Sequence, residues 1–197
     1  AATEVWLLRN PFNSDTFAEE SISARAITNA YRTLVPSAPA DLHPHQVYDI
    51  ATGRIEGDKI SAQNAFNRFG QALGMALAEV VTLLDGLVVV GGGLANGHEL
   101  FFPAMIRELN SSFKGQSGSD ISRLVMKVYD LQDDHGFNAF AAGQSTTVNV
   151  PFSDRKIEYD PEKRTGVALS VLGASRAISL GAYAFAVNSI EQGRASE

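Results

Sequence analysis

The sequence contains no cysteine. Disulfide bridges and thiolate zinc sites are therefore excluded outright, and a cytoplasmic home is compatible with the chain. It also lacks any cluster of Lys and Arg. Its 16 basic residues are scattered and outnumbered by 22 acidic ones, for a formal net charge of −6. Phosphate backbones are bound by localised positive charge, so no nucleic-acid surface is expected in this segment. No apolar run approaches a membrane span, and no basic region precedes an apolar one at the start. Neither a membrane partner nor a signal peptide is expected. Charged residues make up only 19% of the chain against 45% hydrophobic, which argues against disorder and for a packed core. A length of 197 residues suits one domain, or one and a half. The opening Ala1-Ala2-Thr3-Glu4 runs straight into apolar Val5-Trp6-Leu7-Leu8. The expectation is a chain that begins inside a larger protein. There is no internal repeat.

What the sequence does have is one organising stretch, Leu84 to Gly97, reading LDGLVVVGGGLANG. Leu87 to Val90 is wholly apolar and mostly β-branched, the pattern of a strand buried on both faces. Gly91, Gly92 and Gly93 follow at once. Three glycines in a row are poor for helix or strand, but they permit positive φ and carry no Cβ. The chain can turn sharply there and let a flat or anionic ligand approach its backbone N–H groups, at the strand edge where open α/β sheets bind ligands. A tight turn with no ligand fits the triplet equally well. The pattern is neither GxGxxG nor GxxxxGK(S/T), so Rossmann and P-loop readings have no direct support.

Taken in order, Val5–Leu8 reads as a strand or strand end and 10–15 as a turn of Asn, Pro, Ser and Asp. Ser23 is placed to cap a helix whose apolar stripe is Ile27, Ala30, Tyr31 and Leu34. Glu19 and Glu20 lie just before it. They are either favourable charge at a helix start or carboxylates that accept protons from a polyol's hydroxyls. Residues 35–41 form a connector, and Pro44 opens a short helix to about Ala51. His43 and His45 flank that proline with no further ligand nearby in sequence, so no metal site is expected. Ser61 reads as the cap of a long helix, Ala62–Leu84, with Phe66, Phe69, Leu73, Leu77, Val80, Val81 and Leu84 on its apolar side. Gly70 and Gly74 inside it cost about 1 kcal/mol each against Ala, which close approach of another element would offset. A helix from Asn96 or Gly97 to about Phe113 is expected to restart or kink at Pro103. Further on come a Gly/Ser loop at 114–120, a strand at Leu124–Leu131, a polar excursion at 132–144 and a hairpin pairing Thr146–Val150 with Lys156–Tyr159. Apolar Val167–Leu172 leads through Gly173 into a last helix, Ser175–Ile190. That helix is rich in small residues and so is expected to pack tightly on the sheet or beside a ligand. The whole implies an α/β fold, a mixed β-sheet flanked by helices, with Leu87–Val90 central and Ala62–Leu84 packed on it.

Three stretches carry a family resemblance. Glu19 followed by Ser23-Ala24-Arg25-Ala26-Ile27 resembles the E-x-x-x-S-G-x-x-(I/L) segment of bacterial glucokinases and ROK (repressor, open reading frame, kinase) sugar kinases. Gly57-Asp58, the long helix and Val88-Val89-Val90-Gly91-Gly92-Gly93 resemble their G-D-x-x-A helix and adenosine motif. Leu172-Gly173-Ala174 with Ser179 to Ala184 resembles their closing helix. The resemblance implies a ribonuclease-H-like lobe of the actin, hexokinase and Hsp70 superfamily. Residues 1–197 would form the C-terminal, larger lobe of a two-lobe kinase, with a family-atypical insertion at about 114–165. It implies ATP with Mg²⁺, adenosine bordered by Gly91, Gly92, Gly93 and Asn96, and a hexose or hexose derivative contacted by Glu19. The partner would be an N-terminal lobe. A homodimer is also implied, with Phe101 and Phe102 either contributing to it or buried in the core. The family's catalytic Asp and phosphate loop have no counterpart in this segment, so no catalytic residue is assigned and the segment alone is expected to be inactive. The cysteine-rich zinc segment of many relatives cannot exist here. The alternative is a non-catalytic, sugar- or nucleotide-sensing regulator of the same family.

Overall fold

The computed structural model describes residues 4–194; the opening Ala1-Ala2-Thr3 lies outside them. Seven helices and seven strands follow one another among these residues. They are α1 (Glu19–Ile22), α2 (Ala24–Leu34), α3 (Pro44–Thr52), α4 (Lys59–Leu84), β1 (Val88–Val90), α5 (His98–Leu109), β2 (Ser112–Lys114), β3 (Asp120–Ser122), β4 (Lys127–Asp130), α6 (Asp134–Ala142), β5 (Thr146–Asn149), β6 (Lys156–Tyr159), β7 (Arg164–Leu169) and α7 (Ala174–Arg194).

The long helix α4 is the spine. Its cap is Asp58, three residues before the expected Ser61: Asp58 Oδ1 accepts from the Ser61 N–H at 2.9 Å and Oδ2 from the Ser61 hydroxyl at 2.9 Å. Ser61 is thus the donor of the capping pair rather than the cap. Phe66, Phe69 and Val81 of the expected stripe are buried, whereas Leu84 at the C-terminus is exposed. The two interior glycines are explained by α5. A Cβ on Gly70 would stand 2.3 Å from the Phe101 carbonyl oxygen, and one on Gly74 would stand 2.9 Å from that of Met105. The two backbones approach so closely that only glycine fits. Phe69 and Phe101 meet edge to face above this contact at 5.1 Å. Phe101 and Phe102 are each 1% exposed, so both belong to the core and neither is available to an interface. Full burial of such a side chain is worth about 1.5–3 kcal/mol. The helix α5 runs unbroken through Pro103, because that residue faces solvent, where water can serve the carbonyl it leaves unpaired.

The sheet departs from expectation in its order. Its three strands run β1-β7-β4, all parallel, with Val88 opposite Val167 and Tyr129 opposite Gly166. The central strand is β7, and β1 is an edge. Val88 and Val90 turn toward the core, but Val89 is 63% exposed and Leu87 62%. The apolar run suits burial on both faces, whereas among the described residues its Leu87 and Val89 side is left open. The antiparallel pairings expected of a mixed sheet lie in two separate hairpins, β2–β3 and β5–β6. The second of these was expected, while the first is built around the expected Gly/Ser loop, with Ser112 and Phe113 in β2 rather than at a helix end.

Other differences have local causes. Residues Val5–Leu7 form a 3-10 turn rather than a strand, since the chain folds back at once and Ala18 N–H donates to the Leu8 carbonyl at 2.7 Å. Only Arg9 and Phe17 make a bridge there. Leu34 is exposed, at the solvent end of α2. The polar stretch 132–144 contains α6, capped by Asp133, whose Oδ2 accepts from Gly136 N–H at 2.8 Å. Strand β4 covers only the second half of Leu124–Leu131, and Leu124 is a buried plug ahead of it. The last helix was expected to pack tightly. Instead, its described side chains are exposed along almost the whole length, with Tyr183 at 72% and Phe185 at 74%. Its small residues therefore do not mark close packing against the other described residues.

Two measurements check this architecture. Gly70→Ala should lower stability by about 1–3 kcal/mol in denaturant unfolding. Gly86→Ala, which meets nothing within 4 Å, should be close to neutral. Equal effects would contradict the α4–α5 contact. Asp160 receives Arg164 and two backbone N–H groups, and these hold its carboxyl below the usual carboxylate range. A depressed native value means the stabilisation is present above the unfolded-state pKa and is lost as pH falls through the native one. Asp160→Asn should therefore destabilise at neutral pH, with the difference from wild type vanishing in strong acid. A difference that persists there would rule out the charge as its cause.

Candidate functional site

Strand β1 delivers the chain into the glycine triplet. Gly92 sits at φ +95°, a conformation that L side chains rarely adopt, so the turn requires glycine at this position. A single 3-10 segment, Gly93–Gly97, then carries the chain into α5. Gly91, Gly92, Gly93 and Asn96 are all exposed. No protein atom would lie within 4 Å of a Cβ on Gly92 or Gly93, and the nearest to one on Gly91 is Ser170 Cβ at 3.5 Å. The triplet is thus an open ledge.

Beside this ledge lies a cavity of about 490 Å³. It is bounded by the 3-10 segment through Gly93, Leu94, Asn96 and Gly97, and by α3 through Pro44, His45 and Tyr48. Phe66 of α4 and Ala24 at the start of α2 complete the wall. The lining is mainly apolar, with Asn96 and His45 as polar groups. That is the character of a site for a small, flat organic ligand. The aromatic groups are held in place. The Tyr48 hydroxyl donates to Glu99 Oε1 at 2.6 Å, and the Arg54 guanidinium lies over its ring at 5.0 Å. Phe66 meets the ring edge to face at 6.3 Å. Acceptance by Glu99 stabilises the protonated phenol and pushes the Tyr48 pKa above its ordinary value, with burial adding to the effect.

Helix α3 reaches this wall because Pro44 occupies its first position and Gln46 Oε1 accepts from the His43 N–H at 2.8 Å. His43 and His45 stack at 5.8 Å, and among the described residues no group of three or more His, Asp or Glu stands ready to hold a metal ion. Glu19 is not among the cavity's lining residues. It heads the short helix α1 and lies 3.5 Å from Arg25, which pairs with Glu20 at 2.8 Å. Ser23 takes the cap position of α2, but its hydroxyl makes no capping bond; it is buried without a protein partner. The structure therefore gathers Gly93 and Asn96 into one wall and keeps Glu19 on a separate element. Sequence reasoning missed Tyr48. Its signal was a half-apolar aromatic on a proline-started helix, which reads equally well as ordinary core.

A sequence profile described as the ROK family matches residues 16–139, more than half of the chain. A crystal structure of a glucokinase from Parabacteroides distasonis superposes with a TM-score of 0.83 at 39% sequence identity. The match covers 95% of this chain and 50% of that one, so the chain spans half the length of that glucokinase. A sugar-kinase candidate from Cytophaga hutchinsonii gives a TM-score of 0.46 at 20% identity, over 54% of this chain and 37% of that one, too distant a likeness to speak to the fold. No curated protein matches the chain.

The Tyr48–Glu99 bond has a titration signature. Because the native pKa is raised, the interaction is complete below the ordinary tyrosine value and is lost as pH rises through the native one. In NMR spectra of tyrosine-labelled protein, Tyr48 should titrate above the ordinary tyrosine value, and Glu99→Gln should return it toward that value. Titration unaffected by that substitution would show that Glu99 is not the cause.

Proposed function

The chain belongs to the ROK family, and from that membership we propose that it is the nucleotide-binding C-terminal lobe of an ATP-dependent hexose kinase. The observation that carries the proposal is the open glycine ledge beside an apolar cavity of about 490 Å³. Adenosine would border Gly91, Gly92, Gly93 and Asn96, the phosphates running outward from the ledge. The glucokinase likeness supports a hexose or hexose derivative as acceptor, with Glu19 as a sugar-hydroxyl contact from α1. In this reading the domain is a ribonuclease-H-like lobe, with 114–165 as its elaboration.

The rest of the reaction is assigned to a second lobe. Two features support that division. Helix α7 presents Ile178, Leu180, Tyr183 and Phe185 to solvent, and the sheet leaves Leu87 and Val89 uncovered. Apolar surface of this extent marks an interaction face. Phosphoryl transfer also needs a carboxylate within reach of the attacking hydroxyl and charge around the phosphates. The cavity lining contains no carboxylate and no Lys or Arg. The described residues offer no metal-holding set either, so Mg²⁺ would be held by the ATP phosphates and groups of the other lobe. No helix among the described residues is long and apolar enough to cross a membrane.

Two outcomes test the proposal. Residues 1–197 alone should give no sugar-dependent ADP release with glucose, mannose or N-acetylated hexosamines. Turnover abolished by Glu19→Gln would show the catalytic machinery to be misplaced. In the two-lobe protein, Gly92→Val forces a branched residue into positive φ, and ATP affinity measured by calorimetry should fall roughly tenfold. An unchanged titration would remove the ledge from the nucleotide site.

A further inference from the structure

We infer that Tyr48 is the aromatic wall against which the nucleobase lies, so that the base is gripped by ring contact and only its edge is read by hydrogen bonds. The inference rests on the nucleotide reading above and goes beyond the glycine ledge, which offers only backbone.

Four observations meet at this residue. First, Tyr48 lines the same cavity as Gly93 and Asn96, although 45 residues of chain separate Tyr48 from Gly93. Second, its hydroxyl proton is committed to Glu99 at 2.6 Å, so the hydroxyl has no proton left to donate to a ligand and the ring supplies the larger contact surface. Third, the ring is fixed before any ligand arrives. Arg54 lies over it, Phe66 abuts it, and Gly97 brings the turn against it so closely that a Cβ there would be 3.1 Å from Tyr48 Cδ2. A ring that is already immobilised loses little rotamer entropy on binding. Fourth, the remaining wall is Pro44, Phe66 and Leu94, with no charged group, which suits an uncharged planar heterocycle better than a sugar or a phosphate. The polar groups Asn96 and His45 are placed for the heterocycle's edge. An amide can donate and accept at once, the pattern a purine's N6 and N7 present. The chemical class is therefore a purine nucleotide held through its base.

The test uses the two-lobe protein and three probes: ATP, AMP and inorganic tripolyphosphate. Base-on-aromatic contact predicts that Tyr48→Ala weakens ATP and AMP roughly tenfold to hundredfold while tripolyphosphate affinity stays within about twofold. Tyr48→Phe should restore most of the loss, since the ring is kept. Saturation transfer between adenine H8 or H2 and the Tyr48 ring in the unmutated protein gives a readout that does not depend on a variant folding. Equal losses for ATP and tripolyphosphate, or no transfer to Tyr48, would overturn the inference. If Gly92→Val weakens ATP but Tyr48→Ala does not, Tyr48 is wrong and the ledge stands. If neither does, the nucleotide reading falls with it.

Discussion

Everything else in this structure hangs on the contact between α4 and α5 at Gly70 and Gly74. With a Cβ-to-carbonyl separation of 2.3 Å at Gly70, no other residue could sit there without moving a helix. The contact fixes α5 against the spine, and α5 is the continuation of the glycine turn. The position of Gly91–Gly97 relative to Phe66 is thus set by Gly70 and Gly74, inside the preceding helix. A further consequence is that Phe101, Phe102, Met105 and Leu109 join Phe66 and Phe69 in one buried apolar cluster.

Around that core the remaining elements act as walls and braces. Helix α3 supplies Tyr48 and is tied to α5 through Glu99, so the two sides of the cavity are joined by one short hydrogen bond. On the far side, Asn110 bonds both the N–H and the carbonyl of Val128, which pins the sheet to the end of α5. Arg123 pairs with Glu108 at 3.2 Å and donates to the Met75 carbonyl, locking the β2–β3 hairpin onto both long helices. Tyr129, Gln144, Asp160, Glu162 and Arg164 form the polar brace that holds 131–163 on the sheet. The outer surface of β1 and the length of α7 carry apolar side chains without cover among the described residues.

The sequence made some of this legible, for physical reasons that differ by residue. The long helix, its buried phenylalanines and the offset of its glycines were legible because helical periodicity and the cost of interior glycine are local properties. The β5–β6 hairpin was legible from its turn residues. Strand order was not. Nothing in Val88–Val90 distinguishes an edge from a centre, since that depends on where Thr165–Val167 arrives nearly 80 residues later. Helix α6 was hidden because its cap, Asp133, sits in a run that reads as polar loop. The glycine triplet was legible as a turn, whereas Tyr48 comes beside it only through tertiary contact.

The most direct measurement of the central claim is hydrogen exchange with and without ATP, read by mass spectrometry on the proposed two-lobe protein. The cavity account predicts slowed exchange in two segments distant in sequence, 91–98 and 45–48, on ATP addition, with 114–120 unchanged. Protection confined to other segments, or none at all under saturating ATP, would contradict it.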